Sequence, residues 1–216
     1  MTELSAFLRE YLGAWPPSSD VTVVGSDVRT RPGWDGAIRD VVGVGTPDGG
    51  VVSVPPAHVT AVRESVTSWH DITSTLPAAM GRVGATAYVG KFRWTTAPKP
   101  LEDAGIWIDV TDPRVPEWLW PFGGEALIAL VDDSYAAGVG IKRHNKYGLE
   151  LSVGTEEPYR GQGLAARLVA QASRWVLAQG AVPIYLHDPA NVGSDRTAHA
   201  AGYPDEGWTI LGLSAR

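Results

Sequence analysis

The stretch from Leu149 to Gly180 admits few readings. Leu149, Leu151 and Val153 alternate as in a strand with one buried face, and Gly154 and Pro158 then break the pattern. From Leu164 the rule becomes helical. Leu164, Leu168, Ala172 and Val176 recur on one side, Arg167, Gln171 and Arg174 take the other, and Gly180 marks the end. The joint between strand and helix is Arg160-Gly161-Gln162-Gly163-Leu164-Ala165. Glycines at a helix entrance let backbone approach a ligand, and the first-turn N–H groups with the helix dipole favour an anion there. A plain glycine-rich turn is the other reading of the same residues. The chain holds neither a Gly-x-x-x-x-Gly-Lys-Ser/Thr loop nor a Gly-x-Gly-x-x-Gly followed by a ribose-binding acid.

Arg160-x-x-Gly163-x-Ala165, following a strand that leaves through Val153, Pro158 and Tyr159, resembles the acyl-CoA signature of the GNAT N-acetyltransferase superfamily. Downstream, the short strand Ile184-Tyr185-Leu186, then Asn191 and Ser194 leading a helix that closes in Gly202-Tyr203, are similar to that family's next segment. Upstream, Ala126 to Val131 and Ala136 to Ile141 look like its preceding strands, joined by a turn at Asp132-Asp133-Ser134. The resemblance covers about residues 105–216. It implies an α/β (α+β) fold, a GNAT-like mixed central sheet flanked by helices, preceded by a smaller α/β N-terminal domain.

That preceding part has its own pattern. Leu4, Phe7, Leu8, Tyr11 and Leu12 read as an amphipathic helix over 3–13, with Thr2 as cap. Val21 to Val24 reads as a strand, and Val41 to Val44 pairs with Val51 to Val54 across a turn-rich connection. Helices follow from Pro55-Pro56 and from Asp71 to Met80, then a strand from Thr86 to Trp94. The polar, proline-bearing run from Thr95 to Gly105 suits a boundary, so the expected domains are 1–96, of unknown role unless it completes an acceptor cleft, and 105–216.

Composition narrows the function. With 18 basic and 24 acidic residues and no basic block, the sequence argues against nucleic acid or an anionic membrane as the main partner. The absence of cysteine excludes disulfides, thiolate metal sites and a cysteine acyl-enzyme. The N-terminus lacks a leader pattern and no long apolar run occurs, so the expectation is a soluble cytoplasmic protein. Scattered histidines with no metal-ligand spacing lead us to expect no metal.

The resemblance implies acetyl-CoA as co-substrate and a small-molecule or protein amine as acceptor. A homodimer is among the assemblies the sequence allows. It assigns Arg160, Gly161, Gln162, Gly163, Leu164 and Ala165 to the pyrophosphate, and backbone groups of Leu151, Ser152 and Val153 to the pantetheine arm. Asn191 and Ser194 would lie near that arm, although either also serves as a helix N-cap. A backbone N–H near Val153 would face the thioester oxygen. Glu150 is the candidate base, with a solvated strand acid as the alternative, because alternation turns it from the face that Leu149 and Leu151 bury. Ser194 is the candidate acid, since the tyrosine that such enzymes often carry seven residues after the Asn is replaced by Ala198. The resemblance thus implies an N-acetyltransferase working by direct amine attack. The alternative is a noncatalytic acyl-CoA-binding or sensor protein.

Overall fold

The computed structural model describes residues 2–214 and divides into two compact units. The first comprises 2–92, His187–Pro189 and 205–214; the second comprises Arg93–Leu186 and Ala190–Pro204.

In the first unit α1 (Glu3–Leu12) buries Leu4, Phe7, Leu8 and Leu12 on one face. The Thr2 hydroxyl accepts from the Ser5 N–H at 3.4 Å to start it, and Gly13 at φ 94° ends it. The strands β1 (Val21–Gly25), β2 (Val42–Thr46) and β3 (Gly49–Val54) follow. Valines on these strands meet α2 (Val59–Ser65) and α3 (Ile72–Ala79) in one core around Val52, Val62, Ile72 and Leu76. β4 (Ala87–Trp94) closes this part of the chain.

One strand of this unit comes from the other end of the sequence. β10 (Thr209–Leu213) lies antiparallel between β2 and β4, giving the order β1-β3-β2-β10-β4. The sequence boundary placed everything after residue 105 in the second domain. That placement is corrected for 205–214, because Leu211 pairs with Gly43 and Val89 and packs in the valine core.

The second unit holds β5 (Ile106–Asp109), β6 (Glu125–Val131), β7 (Ser134–Asn145), β8 (Gly148–Thr155), α4 (Leu164–Ala178), β9 (Val182–His187) and α5 (Val192–Ala201). Its strand order is β9-β8-β7-β6-β5, antiparallel throughout except for the parallel β8–β9 pair, which α4 connects as a crossover. Asp132 and Asp133, both at positive φ, form the two-residue turn between β6 and β7. On one face Val139, Ile141, Leu149 and Leu151 pack with Leu168, Val169, Ala172 and Val176 of α4 and with Ala198 and Ala201 of α5. Tyr203 is fully buried there and shares a 2.6 Å hydrogen bond with Ser173.

The opposite face is shaped by glycines. A Cβ on Gly140 would lie 2.4 Å from Phe122, and one on Gly154 2.9 Å from Trp118. The aromatic 3-10 segment Glu117–Phe122 therefore lies directly on the β7–β8 ladder. Among the described residues no helix is long and apolar enough to cross a membrane.

Candidate active site

The parallel pair sets the geometry. β8 and β9 pair only at Gly148↔Val182, Leu149↔Pro183 and Glu150↔Ile184, although β8 runs on to Thr155 and β9 to His187. The strands part beyond Glu150, opening a wedge toward their C-terminal ends, where α/β sheets place ligands. Leu151, Ser152 and Val153 line its β8 side; Leu151 is buried against α4, and the other two are half-buried.

β8 then leads into the glycine turn. Gly161 and Gly163 have φ of 76° and 78°, and no atom lies within 4 Å of a Cβ on either. Left-handed backbone, not crowding, requires glycine here. No side chain caps α4, and no acidic residue stands in its first turn. Arg160 to Gly163 are exposed, and Leu164 and Ala165 half-buried. The two polar side chains brace the turn itself, Arg160 Nε donating to the Thr155 carbonyl at 3.1 Å and Gln162 Nε2 to the Pro158 carbonyl at 3.2 Å. What faces outward is an open helix N-terminus whose partial positive charge suits a phosphate.

Glu150 stands at the apex of the wedge, on the face away from α4. It is 5% exposed, which overturns the reading of a solvated strand acid. Lys142, its cross-strand partner, donates to Oε1 at 2.5 Å, and His144 Nε2 lies 2.8 Å from Oε2. Burial works against the carboxylate charge. The His144 hydrogen bond and the Lys142 charge outweigh it, so the carboxyl titrates below its ordinary range.

On the α4 face, Asn191 is the N-cap of α5, its Oδ1 accepting from the Ser194 N–H at 3.0 Å. Ser194 is half-buried in the first turn. Tyr185, one residue past the apex on β9, is 2% exposed; burial raises its phenol, and a hydrogen-bonding influence from Ser194 partly offsets this. Ala198 is fully buried, while His199 is exposed. Buried Arg93 pairs with Asp195 and donates to the Tyr203 carbonyl at 3.1 Å, fixing the entry to α5. Among the described residues no three His, Cys, Asp or Glu side chains converge as a metal site would need.

Every candidate lies on the strand–turn–helix unit of β8 and α4 or at the start of α5. Glu150 and Ser194 lie on opposite faces of the sheet. Sequence reasoning missed Lys142, His144 and Tyr185. The first two carried a signal: they sit two apart, on one face of a strand, with Glu150 equally far beyond the turn at Lys146.

Residues 91–203, 113 of the 216, match the model of the acetyltransferase (GNAT) family. The chain belongs to that family. Among solved structures, a GNAT-family protein from Novosphingobium aromaticivorans aligns with a TM-score of 0.50 at 23% identity, covering 59% of this chain and 64% of its own length. An acetyltransferase of the same family from Colwellia psychrerythraea gives 0.49 at 16% identity, over 65% and 61% of the two chains. A GCN5-related N-acetyltransferase-like protein from Streptococcus suis gives 0.49 at 14%, over 98% and 99%. The Novosphingobium likeness concerns the fold. No curated protein matches the sequence.

Proposed function

We propose that the protein transfers the acetyl group of acetyl-CoA to a primary amine by direct attack. The observation that carries this reading is the uncapped, acid-free N-terminus of α4 beside a parallel strand pair that separates after Glu150↔Ile184. The donor set fits the co-substrate: main-chain N–H groups from Gly161 to Ala165 suit a pyrophosphate, and the free edge of Leu151, Ser152 and Val153 suits the amides of an extended arm. Acetyl-CoA supplies the activated acyl group when bound. The Val153 N–H is the donor assigned to the carbonyl oxygen as negative charge gathers on it, a contribution typically of about 2.7–4 kcal/mol. Glu150 takes part in removing the ammonium proton, because only the free amine attacks. Ser194, on the other face, is the donor assigned to the departing sulfur.

The test begins with binding. At 100 times its dissociation constant, acetyl-CoA should stabilise the protein by about 2.7 kcal/mol, raising the unfolding temperature by roughly 5–10 °C. Gly163→Glu places a carboxylate where phosphate would lie and should abolish that rise; its own unfolding temperature reports any cost of the positive φ. An unaltered rise in Gly163→Glu sinks the assignment.

A noncatalytic acyl-CoA-binding role is the second reading, favoured by the buried alanine at position 198. It is separated from the first by scoring a panel of primary amines for release of free CoA thiol. Binding without release from any amine selects the sensor.

A further inference from the structure

The strand assigned to the acyl arm has two faces, and only one is filled. Toward α4, Leu151 is buried and Val153 packs against the same core. Glu150, Ser152 and Gly154 have the opposite parity, and the ladder carries that row one rung further. Beyond Ala137↔Thr155 the Glu156 N–H donates to the Ala136 carbonyl at 2.9 Å, so Glu156 joins the face away from α4. Ser152 and Gly154 are half-buried, and Glu156 is exposed.

An aromatic wall stands beside this row. Leu119 anchors the segment Glu117–Phe122 in a core with Val115 and Ile128, while Trp118 and Trp120 remain 37% and 52% exposed. The Trp118 indole occupies the space a side chain at Gly154 would need, and its plane stands at 87° to the Phe122 ring. The strand and the indole therefore meet along one side of the row.

Charge collects on the same part of the chain. Between residues 106 and 141 there are six acidic residues and one basic, Arg114, so this stretch carries −5 of the chain's −6. Arg114 pairs with Asp112 at 2.9 Å, and Lys142, four residues from Gly138, is held by Glu150. Glu117, next to Trp118, and Glu156 form no ion pair among the described residues. Glu156 is close enough to Tyr135 to act on its phenol, which places the carboxylate beside the wall.

We propose that this row binds the acceptor and selects an aliphatic diamine or polyamine. One nitrogen attacks the acyl group at β8, while a second, still an ammonium, lies against the Trp118 indole with Glu117 and Glu156 as counter-charges. The inference rests on the acetyl-transfer reading above and deepens it by naming the acceptor class. An indole face attracts a cation, and unpaired carboxylates beside it strengthen the preference. The same carboxylates repel an acceptor that carries its own acid group. A simple monoamine gains nothing from them once its nitrogen is at the acyl group. Trp118 is thus a specificity-determining residue that touches the unreactive part of the acceptor.

The full-length protein tests this with saturating acetyl-CoA and four acceptors: butylamine, 1,4-diaminobutane, spermidine and 2-phenylethylamine. The wild type should favour spermidine over butylamine in kcat/KM by about 10-fold at low salt, and about 0.5 M NaCl should shrink that preference. Trp118→Leu should raise the KM for spermidine about 10-fold and change kcat less than about 2-fold. Trp118→Phe should keep part of the preference, because a smaller aromatic face remains. Glu156→Gln should weaken the salt dependence. The indole N–H NMR signal missing from both Trp118 variants should shift when spermidine is added to the wild type with CoA. Unfolding temperatures report whether each variant is intact.

Equal kcat/KM for butylamine and spermidine, a preference for 2-phenylethylamine, or Trp118→Leu losses that fall alike on every amine overturn the selection and leave acetyl transfer standing. No thiol release with any amine, while spermidine still shifts the Trp118 signal, overturns the transfer reading and keeps the cation surface. An unshifted Trp118 signal overturns the surface whatever the thiol assay gives.

Discussion

Glu150 is where a strand's alternation gives half an answer. Period-two reasoning places it on the correct face, opposite Leu149 and Leu151. It cannot say what covers that face, and Lys142, His144 and the neighbouring strand leave the residue 5% exposed. The consequence is a pH dependence with a defined sign. Its folded-state pKa lies below the unfolded value, so its contribution to stability is complete above the unfolded pKa, about 4.3. That contribution is lost as pH falls through the folded value. The wild type should therefore lose unfolding free energy in urea more steeply between pH 5 and 3 than Glu150→Gln, even though the variant starts less stable. Parallel curves would mean that the carboxylate is not held ionised by its partners. Gly140 and Gly154 taught a similar half-lesson: glycine within a strand signals close approach, but the approaching Phe122 and Trp118 come from a segment with no regular periodicity to locate it.

Elements with a strong period were legible nearly to the residue, and those without one were not. α4 follows from its apolar stripe, and the hairpin of β2 and β3 follows from two valine runs around a turn. β7 runs past the Ala136 to Ile141 that the sequence suggests, because Lys142-Arg143-His144-Asn145 offers no apolar alternation although the ladder with β8 continues to Asn145, with a register shift at His144. At α5 the sequence left two uses for Asn191 open. The structure assigns its side chain to the cap, with Oδ1 accepting from the Ser194 N–H. Asn191→Ala should thus cost about 1 kcal/mol of unfolding free energy, and Asn191→Asp should cost much less because it keeps the acceptor. Chemical denaturation measures this, and acetyl-CoA affinity in the Asp variant asks separately about the arm. A loss of affinity in Asn191→Asp with stability intact would give the residue a ligand contact beyond its capping role.

Over the whole molecule, chain order and spatial order disagree at one strand. The first unit reads as a self-contained α/β domain of residues 1–96, since its helices, hairpin and β4 are all encoded there. Its sheet is nevertheless completed by Thr209–Leu213, inserted between β2 and β4 and paired with both. The run Thr209-Ile-Leu-Gly-Leu is too short, and too interrupted by glycine, to declare itself a strand without its partners. Without β10, β2 and β4 lose their shared neighbour, and the edge of Val42 to Gly45 and that of Ala87 to Lys91 are left without ladder bonds. Leu211, 1% exposed, leaves a gap in the valine core. A fragment ending at residue 96 should therefore lack cooperative thermal unfolding and give a poorly dispersed amide NMR spectrum. A variant that carries 205–216 appended through a flexible linker should recover both, because the missing strand restores two ladders and one buried leucine together. A folded, cooperative 1–96 fragment would mean that the strand order of the first unit is not what holds it.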